Sequence, residues 1–287
     1  MTPDVQAFFD EATNTITYVV SDSRGMSCAV IDTVLDFDYA SGRTDTSAAD
    51  AVIAYIRARG LKLTWILETH VHADHLSAAP LLQEALGGQL GIGENITVVQ
   101  HTFGKVFNEG TRFARDGSQF DRLFQDGDSF MIGQMRAEVL HTPGHTPACL
   151  TYVIGDAAFV GDTLFMPDFG TARCDFPGGS AEDMYDSIQR ILSLPDATRI
   201  FVCHDYKAPG RADYAWETTV GAQKALNLHV GAGRPKADFV ALRKARDATL
   251  AMPRLIIPSL QVNMRAGHMP EPEDNGTSYL KVPLNGM

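Results

Sequence analysis

The feature that most constrains this chain is a short apolar strand that runs directly into a dense group of metal-binding side chains. The strand is Leu63-Thr-Trp-Ile-Leu67, and the motif that follows it is His70-Val-His-Ala-Asp-His75. A nearly all-apolar run of this length is typical of a strand covered on both faces. Imidazole and carboxylate groups are the usual ligands of Zn²⁺ and Fe²⁺. The pattern therefore predicts a metal site at one edge of a β-sheet.

Two further strands end in residues of the same kind. Phe159-Val160 precedes Asp162, and the predicted strand 199–203 runs into His204. Side chains on loops that leave strand ends converge when the strands share one edge of a sheet sandwich. This placement predicts one centre built from separate segments. Its candidate residues, in chain order, are His70, His72, Asp74, His75, His145, Asp162 and His204.

Hydrophobic periodicity predicts strands and helices around these motifs. Apolar residues at helical spacing predict helices at 46–59 and 77–86, and Ser180 suits the N-cap of a helix that ends near Pro195. The length allows one large domain or two small ones, and we predict a single domain over residues 1–287. From about residue 253 we expect an irregular C-terminal extension, because Pro, Asn and Gly are frequent there. Strands are predicted at 14–20, 28–32, 63–67, 129–132, 136–140, 149–154, 157–161 and 199–203.

Composition and charge narrow the possible partners. A net charge of −11 disfavours nucleic acids and anionic membranes, because both are polyanions. The four cysteines are scattered without a Cys-x-x-Cys pair, which is typical of reduced thiols in a cytosol. The chain begins Met-Thr-Pro-Asp, without the segments of a signal peptide, and no apolar run has the length of a membrane span. We therefore expect a soluble, cytoplasmic protein in which any anionic substrate needs a local basic pocket.

Four motifs resemble the successive metal motifs of the metallo-β-lactamase superfamily, in the same order. The resemblance implies an α/β fold, the αββα sandwich, with the metal at one edge between the sheets. In the family pattern the ligand follows Pro-Gly, which assigns His145 as the ligand and His141 as a strand-end residue or a hydrogen-bonding neighbour of the site. The motifs are 69–75 (Thr-His-Val-His-Ala-Asp-His), 141–146 (His-Thr-Pro-Gly-His-Thr), 161–165 (Gly-Asp-Thr-Leu-Phe) and 203–206 (Cys-His-Asp-Tyr).

The superfamily includes hydrolases, nucleases, flavo-di-iron proteins and a dioxygenase family. A more specific resemblance favours one of these branches. Residues 170–179 (Gly-Thr-Ala-Arg-Cys-Asp-Phe-Pro-Gly-Gly), with His204-Asp-Tyr206, resemble persulfide dioxygenases, which are relatives of glyoxalase II. This resemblance implies that the protein oxidises glutathione persulfide with O₂ to sulfite and glutathione. Further stretches that look like bacterial members of that family are 216–220, 261–267, 275–276 and 279–281.

The same resemblance implies one Fe(II) per chain, held by His70, His145 and Asp162. Such a triad leaves three coordination positions open, as O₂-using non-haem iron enzymes require. In a dinuclear hydrolase of the glyoxalase II or lactonase type, the remaining candidates would instead complete a site for two Zn(II). The ligand inventory alone leaves both alternatives open, and Zn²⁺ binds such sites more tightly than Fe²⁺. In the dioxygenase the candidates expected to orient the ligands and accept protons are His72, Asp74, His75 and His204.

Residues near the motifs are candidates for catalysis and substrate binding. Tyr206 and Arg173 are assigned both roles, and Asp74 is assigned a catalytic one. Arg173 could equally brace its loop through a salt bridge to Asp175. Glutathione carries two carboxylates, so it needs a cationic clamp in this acidic protein. The candidates for the clamp are Arg173, Arg265 and Arg211. By analogy with relatives, we also expect self-association into a dimer or tetramer.

Overall fold

Two six-stranded β-sheets form the centre of the structure, a computed structural model that describes residues 2–22 and 24–286. The strands, in chain order, are β1 (Asp4–Asp10), β2 (Thr15–Ser21), β3 (Ser27–Ile31), β4 (Asp36–Asp38), β5 (Arg43–Asp45), β6 (Lys62–Leu67), β7 (Gln89–Gly93), β8 (Arg122–Phe124), β9 (Ser129–Ile132), β10 (Met135–His141), β11 (Leu150–Ile154), β12 (Ala157–Phe159), β13 (Arg199–Phe201) and β14 (Glu217–Thr219). The helices are α1 (Ser47–Ala58), α2 (Ala79–Leu86), α3 (Ile96–Val106), α4 (Ala181–Leu192), α5 (Val220–Leu226), α6 (Lys236–Asp247) and α7 (Ile256–Asn263).

The first sheet has the strand order β1-β2-β3-β6-β7-β8, and the second has the order β14-β13-β12-β11-β10-β9. In the first sheet the strands from β3 to β8 are parallel to one another, while β1, β2 and β3 pair antiparallel. In the second sheet only the pairing of β12 with β13 is parallel among the described strands. Strands β4 and β5 form a separate hairpin.

Apolar side chains on the facing surfaces of the two sheets form a shared core. Tyr18 and Leu67 of the first sheet belong to the same buried cluster as Tyr152 and Phe159 of the second. The outer face of the first sheet packs against α1, α2, α3 and α7, and that of the second packs against α4, α5 and α6. Each sheet thus buries one face against the other sheet and one against helices. This arrangement confirms the predicted αββα sandwich.

Most of the predicted elements are present, with ends that differ by a residue or two. Ser180 caps α4 as predicted, since its hydroxyl accepts a hydrogen bond from the backbone N–H of Asp183 at 3.1 Å. The strand predicted at 157–161 ends at Phe159, because the chain turns there towards the metal-binding residues. The elements that were not predicted are β1, β4, β5, β7, β8, β14, α3, α5, α6 and α7.

The C-terminal segment differs from the irregular extension expected from about residue 253. Its first part is α7, whose residues Leu260 and Val262 are buried in the core outside the first sheet. Pro258 lies in the first turn of this helix, where a missing N–H breaks no helical hydrogen bond. The irregular and mostly exposed part begins only at about residue 268. Among the described residues, no helix combines the length and the apolar character that a membrane span needs.

Candidate metal centre

The segment His70–His75, which we call the metal loop, follows β6 and is anchored to the neighbouring strand β3. Asp32, at the end of β3, accepts hydrogen bonds from the backbone N–H and the hydroxyl of Thr69 at 2.8 and 2.9 Å. Both residues are at most 2% exposed, so water does not compete for these bonds. The parallel pairing of β3 with β6 thus fixes where the metal loop begins.

Three potential ligand atoms from separate segments converge beside this loop. His70, His145 and Asp162 each offer one atom, and these atoms all lie within 4.8 Å of one another. Nε2 of His70 lies 3.9 Å from Oδ2 of Asp162, and Nε2 of His145 lies 3.6 Å from the same oxygen. Metal–ligand bonds of about 2.0–2.2 Å place neighbouring ligand atoms roughly 3–3.5 Å apart. A small contraction would therefore allow the three residues to share one ion.

His70 has the chemical state that a metal ligand needs. Its Nε2 atom is buried and has no hydrogen-bond partner, which is uncommon for a polar atom in a protein interior. Burial, followed by the nearby histidines, holds the pKa of His70 well below its usual value. The ring is therefore uncharged at neutral pH, and its Nδ1, 3.0 Å from the Thr69 hydroxyl, can carry the remaining proton, which leaves Nε2 available to a cation.

A glycine permits the approach of Asp162 to the metal loop. Gly161 has a φ of +51°, and a Cβ atom at this position would lie 2.7 Å from the hydroxyl oxygen of Thr69. An L-residue with a side chain would be disfavoured by both the backbone conformation and this contact. The turn after β12 can therefore pass directly beside the start of the metal loop, and it carries Asp162 with it.

His145 is oriented by the loop that contains Arg173. Its Nδ1 atom donates a hydrogen bond to the carbonyl oxygen of Arg173 at 2.8 Å, which leaves Nε2 for a metal. The ring of Phe176 packs against the imidazole edge to face, with ring centroids 5.1 Å apart. His141 lies outside this group, at the end of β10, where its Nε2 is 2.9 Å from the carbonyl oxygen of Pro147.

His72 lies in the metal loop but faces a different set of partners. Its Nε2 atom is 3.0 Å from Oδ1 of Asp32 and 3.4 Å from Oε2 of Glu68. Burial opposes protonation of the ring, but Asp32 and Glu68 outweigh it and raise the pKa of His72 to about 10. In the metal-free protein His72 is therefore a cation held between two carboxylates.

His204 links two carboxylates of the site. Its Nδ1 atom is 2.7 Å from Oδ1 of Asp162, and its Nε2 atom is 2.5 Å from Oδ2 of Asp74. Although burial favours the neutral ring, these two acids raise the pKa of His204 well above its usual value. In the metal-free protein both ring nitrogens are thus occupied.

A second group of potential ligand atoms lies within the metal loop itself. It consists of His72, Asp74 and His75, with one atom from each within 4.8 Å of the others. Nδ1 of His72 and Nε2 of His75 are buried and have no hydrogen-bond partner. A histidine that binds a metal usually donates its other N–H to a carboxylate, as the contact of His72 with Asp32 would provide. The residues therefore fit one metal at the triad and leave room for a second nearby.

A cavity of about 420 Å³ opens onto the site. Asp74, His145 and Asp162 lie on its wall, together with Tyr206. The Tyr206 ring stacks parallel to the His204 imidazole, at 8° and with centroids 5.8 Å apart. The contact with His204 thus orients the Tyr206 ring, and with it the hydroxyl group.

The three arginines predicted as a substrate clamp are all engaged elsewhere. Arg173 lines the cavity but binds Asp175 through two hydrogen bonds of 2.6 and 2.7 Å, so it braces its own loop, as the sequence analysis had allowed.

Arg211 pairs with Asp205 and Asp168 and does not line the cavity. Arg265 lies in a different cavity, where its guanidinium is 2.6 Å from Glu109. The positions of Arg211 and Arg265 therefore do not support a role in binding the substrate.

Three arginines that the sequence analysis did not select line the cavity near the metal centre; Arg243 is paired with Asp247, and the other two are not paired in the part of the chain that the structure describes. These two are Arg246 in α6 and Arg254 just before α7. Among the described residues, neither guanidinium has an ion-pair partner or a hydrogen-bond acceptor. No local motif marks either residue, so only the folded structure reveals this basic wall.

The comparisons with known proteins agree with this geometry. The family model of the metallo-beta-lactamase superfamily matches residues 12–204, which include every candidate ligand. The chain therefore belongs to the metallo-β-lactamase superfamily. The fold is the one that the sequence motifs predicted for this superfamily, and the structure brings the candidate ligands His70, His145 and Asp162 together.

Relatives within the superfamily carry names from more than one branch. The chain is 56% identical to a Burkholderia pseudomallei protein named probable metallo-hydrolase, over 99% of both chains. It is 54% identical to the beta-lactamase hydrolase-like protein of Xylella fastidiosa, of which it spans 66%. Glyoxylase B2 of Dictyostelium discoideum is 48% identical over 93% of this chain and 92% of its own length.

A more distant similarity connects the chain to persulfide dioxygenases. The human mitochondrial persulfide dioxygenase ETHE1 is 29% identical over 92% of this chain and 88% of its own length. The crystal structure of ETHE1 from Myxococcus xanthus superposes with a TM-score of 0.73 at 29% identity, over 92% of this chain and all of that one. Both the hydrolase-like and the dioxygenase names are thus present among the relatives.

Proposed function

We propose that the protein is an Fe(II)-dependent dioxygenase that oxidises glutathione persulfide to sulfite and glutathione. The observation that carries the proposal is the compact group of His70, His145 and Asp162 beside the cavity. Two histidines and one carboxylate leave open positions on an Fe(II) ion, as enzymes that use O₂ require. Similarity to human persulfide dioxygenase over most of both chains supports the same choice.

The cavity residues can perform the steps that surround the metal chemistry. One persulfide, one O₂ and one water give glutathione, sulfite and two protons, and a bound Fe(II) would supply the oxidation of sulfur by O₂. The hydroxyl group of Tyr206 would donate a hydrogen bond to the reacting sulfur or oxygen. Asp74, which contacts His204, would accept a proton that is released.

The glutathione part of the substrate would bind along the basic wall of the cavity. Arg246 and Arg254 have free guanidinium groups that can form paired, charge-assisted hydrogen bonds with its carboxylates. Phe165 and Phe169 also line the cavity and would exclude water from the reacting end of the substrate.

The proposal is tested by loading the metal-free protein anaerobically with Fe(II) and following O₂ uptake after addition of glutathione persulfide. We expect O₂ uptake with sulfite formation and about one iron per chain. His145→Ala should lose both iron and activity, whereas His141→Ala, four residues away and outside the triad, should retain the iron. Fully iron-loaded protein that consumes no O₂ with the persulfide would overturn the proposal.

The alternative is a dinuclear zinc hydrolase of the glyoxalase II or lactonase type. It is favoured by the unpartnered atoms Nδ1 of His72 and Nε2 of His75, and by the 48% identity to glyoxylase B2. This alternative predicts about two zinc ions per chain and thioester cleavage that proceeds without O₂. Metal analysis of the protein together with an anaerobic thioester assay separates the two functions.

A further inference from the structure

One peptide group joins His145 to a buried ion pair on α6. It is the peptide between Arg173 and Cys174. Its carbonyl oxygen accepts a hydrogen bond from Nδ1 of His145 at 2.8 Å, and its N–H donates to Oδ2 of Asp247 at 3.0 Å. In a trans peptide the C=O and N–H bonds point in opposite directions, so this unit lies between the imidazole and the carboxylate. Two hydrogen bonds and one peptide plane thus form a continuous path.

Asp247 is held in place by Arg243, one turn earlier in α6. Nε and Nη2 of Arg243 lie 2.9 and 2.6 Å from Oδ1 of Asp247, and the two residues are 1% and 5% exposed. Nη1 of Arg243 also donates to the carbonyl oxygen of Thr171 at 2.9 Å. The ion pair therefore holds the loop both before and after the carbonyl group that contacts His145.

A fully buried ion pair gives little net stability to a fold, because removing both charges from water is costly. This pair nevertheless lies at the end of the path from His145. A negative charge on the N–H side of a peptide polarises that peptide and makes its carbonyl oxygen a stronger acceptor. A stronger acceptor on the N–H of a metal-binding imidazole fixes its tautomer and makes the other nitrogen a better ligand.

We propose that Asp247 is a positioning residue for the metal centre, and that it acts on His145 through the peptide between Arg173 and Cys174. Arg243 keeps the Asp247 carboxylate in register with that peptide. The role concerns the affinity of the triad for its metal, so it goes beyond the proposed reaction and applies to a dioxygenase and to a hydrolase alike.

The decisive variant is Asp247→Asn, which keeps the shape and an oxygen acceptor for the N–H of Cys174 but removes the charge. We expect the affinity of the metal-free protein for Co(II) and Zn(II), measured by competition with a chelator, to fall by about tenfold or more. The visible absorption of bound Co(II) should change as well, because His145 is less tightly oriented. Asp247→Glu, which keeps the charge, should lose less affinity than Asp247→Asn.

Glu109→Gln provides the matched control. Glu109 is also a largely buried carboxylate in an ion pair, with Arg265 at 2.6 Å, but it lies in the other cavity. Thermal unfolding of each metal-free variant separates a loss of folding from a loss of affinity. We expect Glu109→Gln to bind both metals like the unmodified protein, even where its melting temperature falls.

Asp247→Asn leaves Arg243 buried without a charged partner, and this could prevent folding. The double variant Arg243→Met with Asp247→Asn removes both charges and is expected to fold and to show the same loss of affinity. Affinity within twofold of the unmodified protein in the folded variants, or an equal loss in Glu109→Gln, would overturn the inference. Because no substrate is used, a failure of the proposed dioxygenase activity would not affect this result.

Discussion

The side-chain amide of Asn263 donates a hydrogen bond to the carbonyl oxygen of His75 at 2.8 Å, although the residues are 188 positions apart. The same amide nitrogen donates to the carbonyl oxygen of His72 at 2.9 Å, and its oxygen accepts from the N–H of Ser77 at 2.8 Å. Asn263 is only 5% exposed, so water does not replace its side chain as the hydrogen-bond partner of these backbone groups. The last residue of α7 thus holds the metal loop in shape.

We expect Asn263→Ala to weaken the protein and its metal site together. The substitution leaves buried backbone groups unsatisfied, and each such group costs about 1–3 kcal/mol, so the free energy of unfolding should fall by about 3 kcal/mol or more. Denaturant unfolding of the metal-free protein measures this change, and metal analysis should find less metal after dialysis. Asn275→Ala, at an exposed position that contacts Tyr279, should change neither quantity. A loss below about 1 kcal/mol for Asn263→Ala would show that the contact is dispensable.

This contact also shows where sequence analysis reaches its limit. The metal loop was located because its signal is local: a buried strand, β6, followed at once by histidines and an aspartate. Ser180 was placed correctly for the same reason, since capping depends on residues three positions apart. The segment of α7 has no comparable local signal, and its Pro and Asn residues favoured an irregular structure. Its helix is stabilised by burial against the first sheet, which only tertiary packing determines.

The arginines illustrate the same limit for the candidate site. Charge alone made Arg211 and Arg265 suitable as a clamp, but their acidic partners, Asp205 and Glu109, come close only through folding. Arg246 and Arg254 lie in no recognisable motif, yet they reach the cavity because α6 and the segment before α7 form its wall. The candidate metal ligands could be predicted from motif spacing, whereas the arginines of the cavity wall could not.

Removing the basic wall should impair binding more than turnover. In the double variant Arg246→Gln with Arg254→Gln, we expect KM for glutathione persulfide to rise by about 100-fold or more, because two charge-assisted hydrogen bonds of about 1.5–3 kcal/mol each are lost. The value of kcat should change little. A small persulfide without carboxylates should show the same KM in both proteins, and Arg136→Gln, a distant surface control, should behave like the unmodified enzyme. An unchanged KM for glutathione persulfide would exclude these arginines as the clamp.

The hydroxyl group of Tyr206 is tested by Tyr206→Phe, which keeps the ring that stacks on His204. Loss of one hydrogen bond that forms in the transition state should lower kcat by about tenfold, since 1.4 kcal/mol corresponds to a factor of ten. Metal content and KM should stay close to those of the unmodified protein. Tyr214→Phe offers a comparison at a tyrosine that does not line the cavity. Equal kcat values for Tyr206→Phe and the unmodified protein would assign Tyr206 a packing role.

The charged state of His72 predicts how the stability of the metal-free protein depends on pH. Its pKa is raised to about 10 from 6.5, as Asp32 and Glu68 outweigh burial. Between these values the folded state binds a proton that the unfolded state has released, so stability falls as the pH rises. The slope from this residue is at most about 1.4 kcal/mol per pH unit.

Thermal unfolding of chelator-treated protein between pH 6.5 and 7.5 measures this slope before the cysteines of the unfolded chain ionise to a large extent. His204, whose pKa is also raised, acts in the same direction. His72→Gln retains an amide that can donate to Asp32 but does not titrate, so its melting temperature should depend less steeply on pH than that of the unmodified protein. His101→Gln, an exposed histidine in α3, serves as the control and should leave the slope unchanged. Parallel pH profiles for His72→Gln and the unmodified protein would show that His72 is neutral in the folded state.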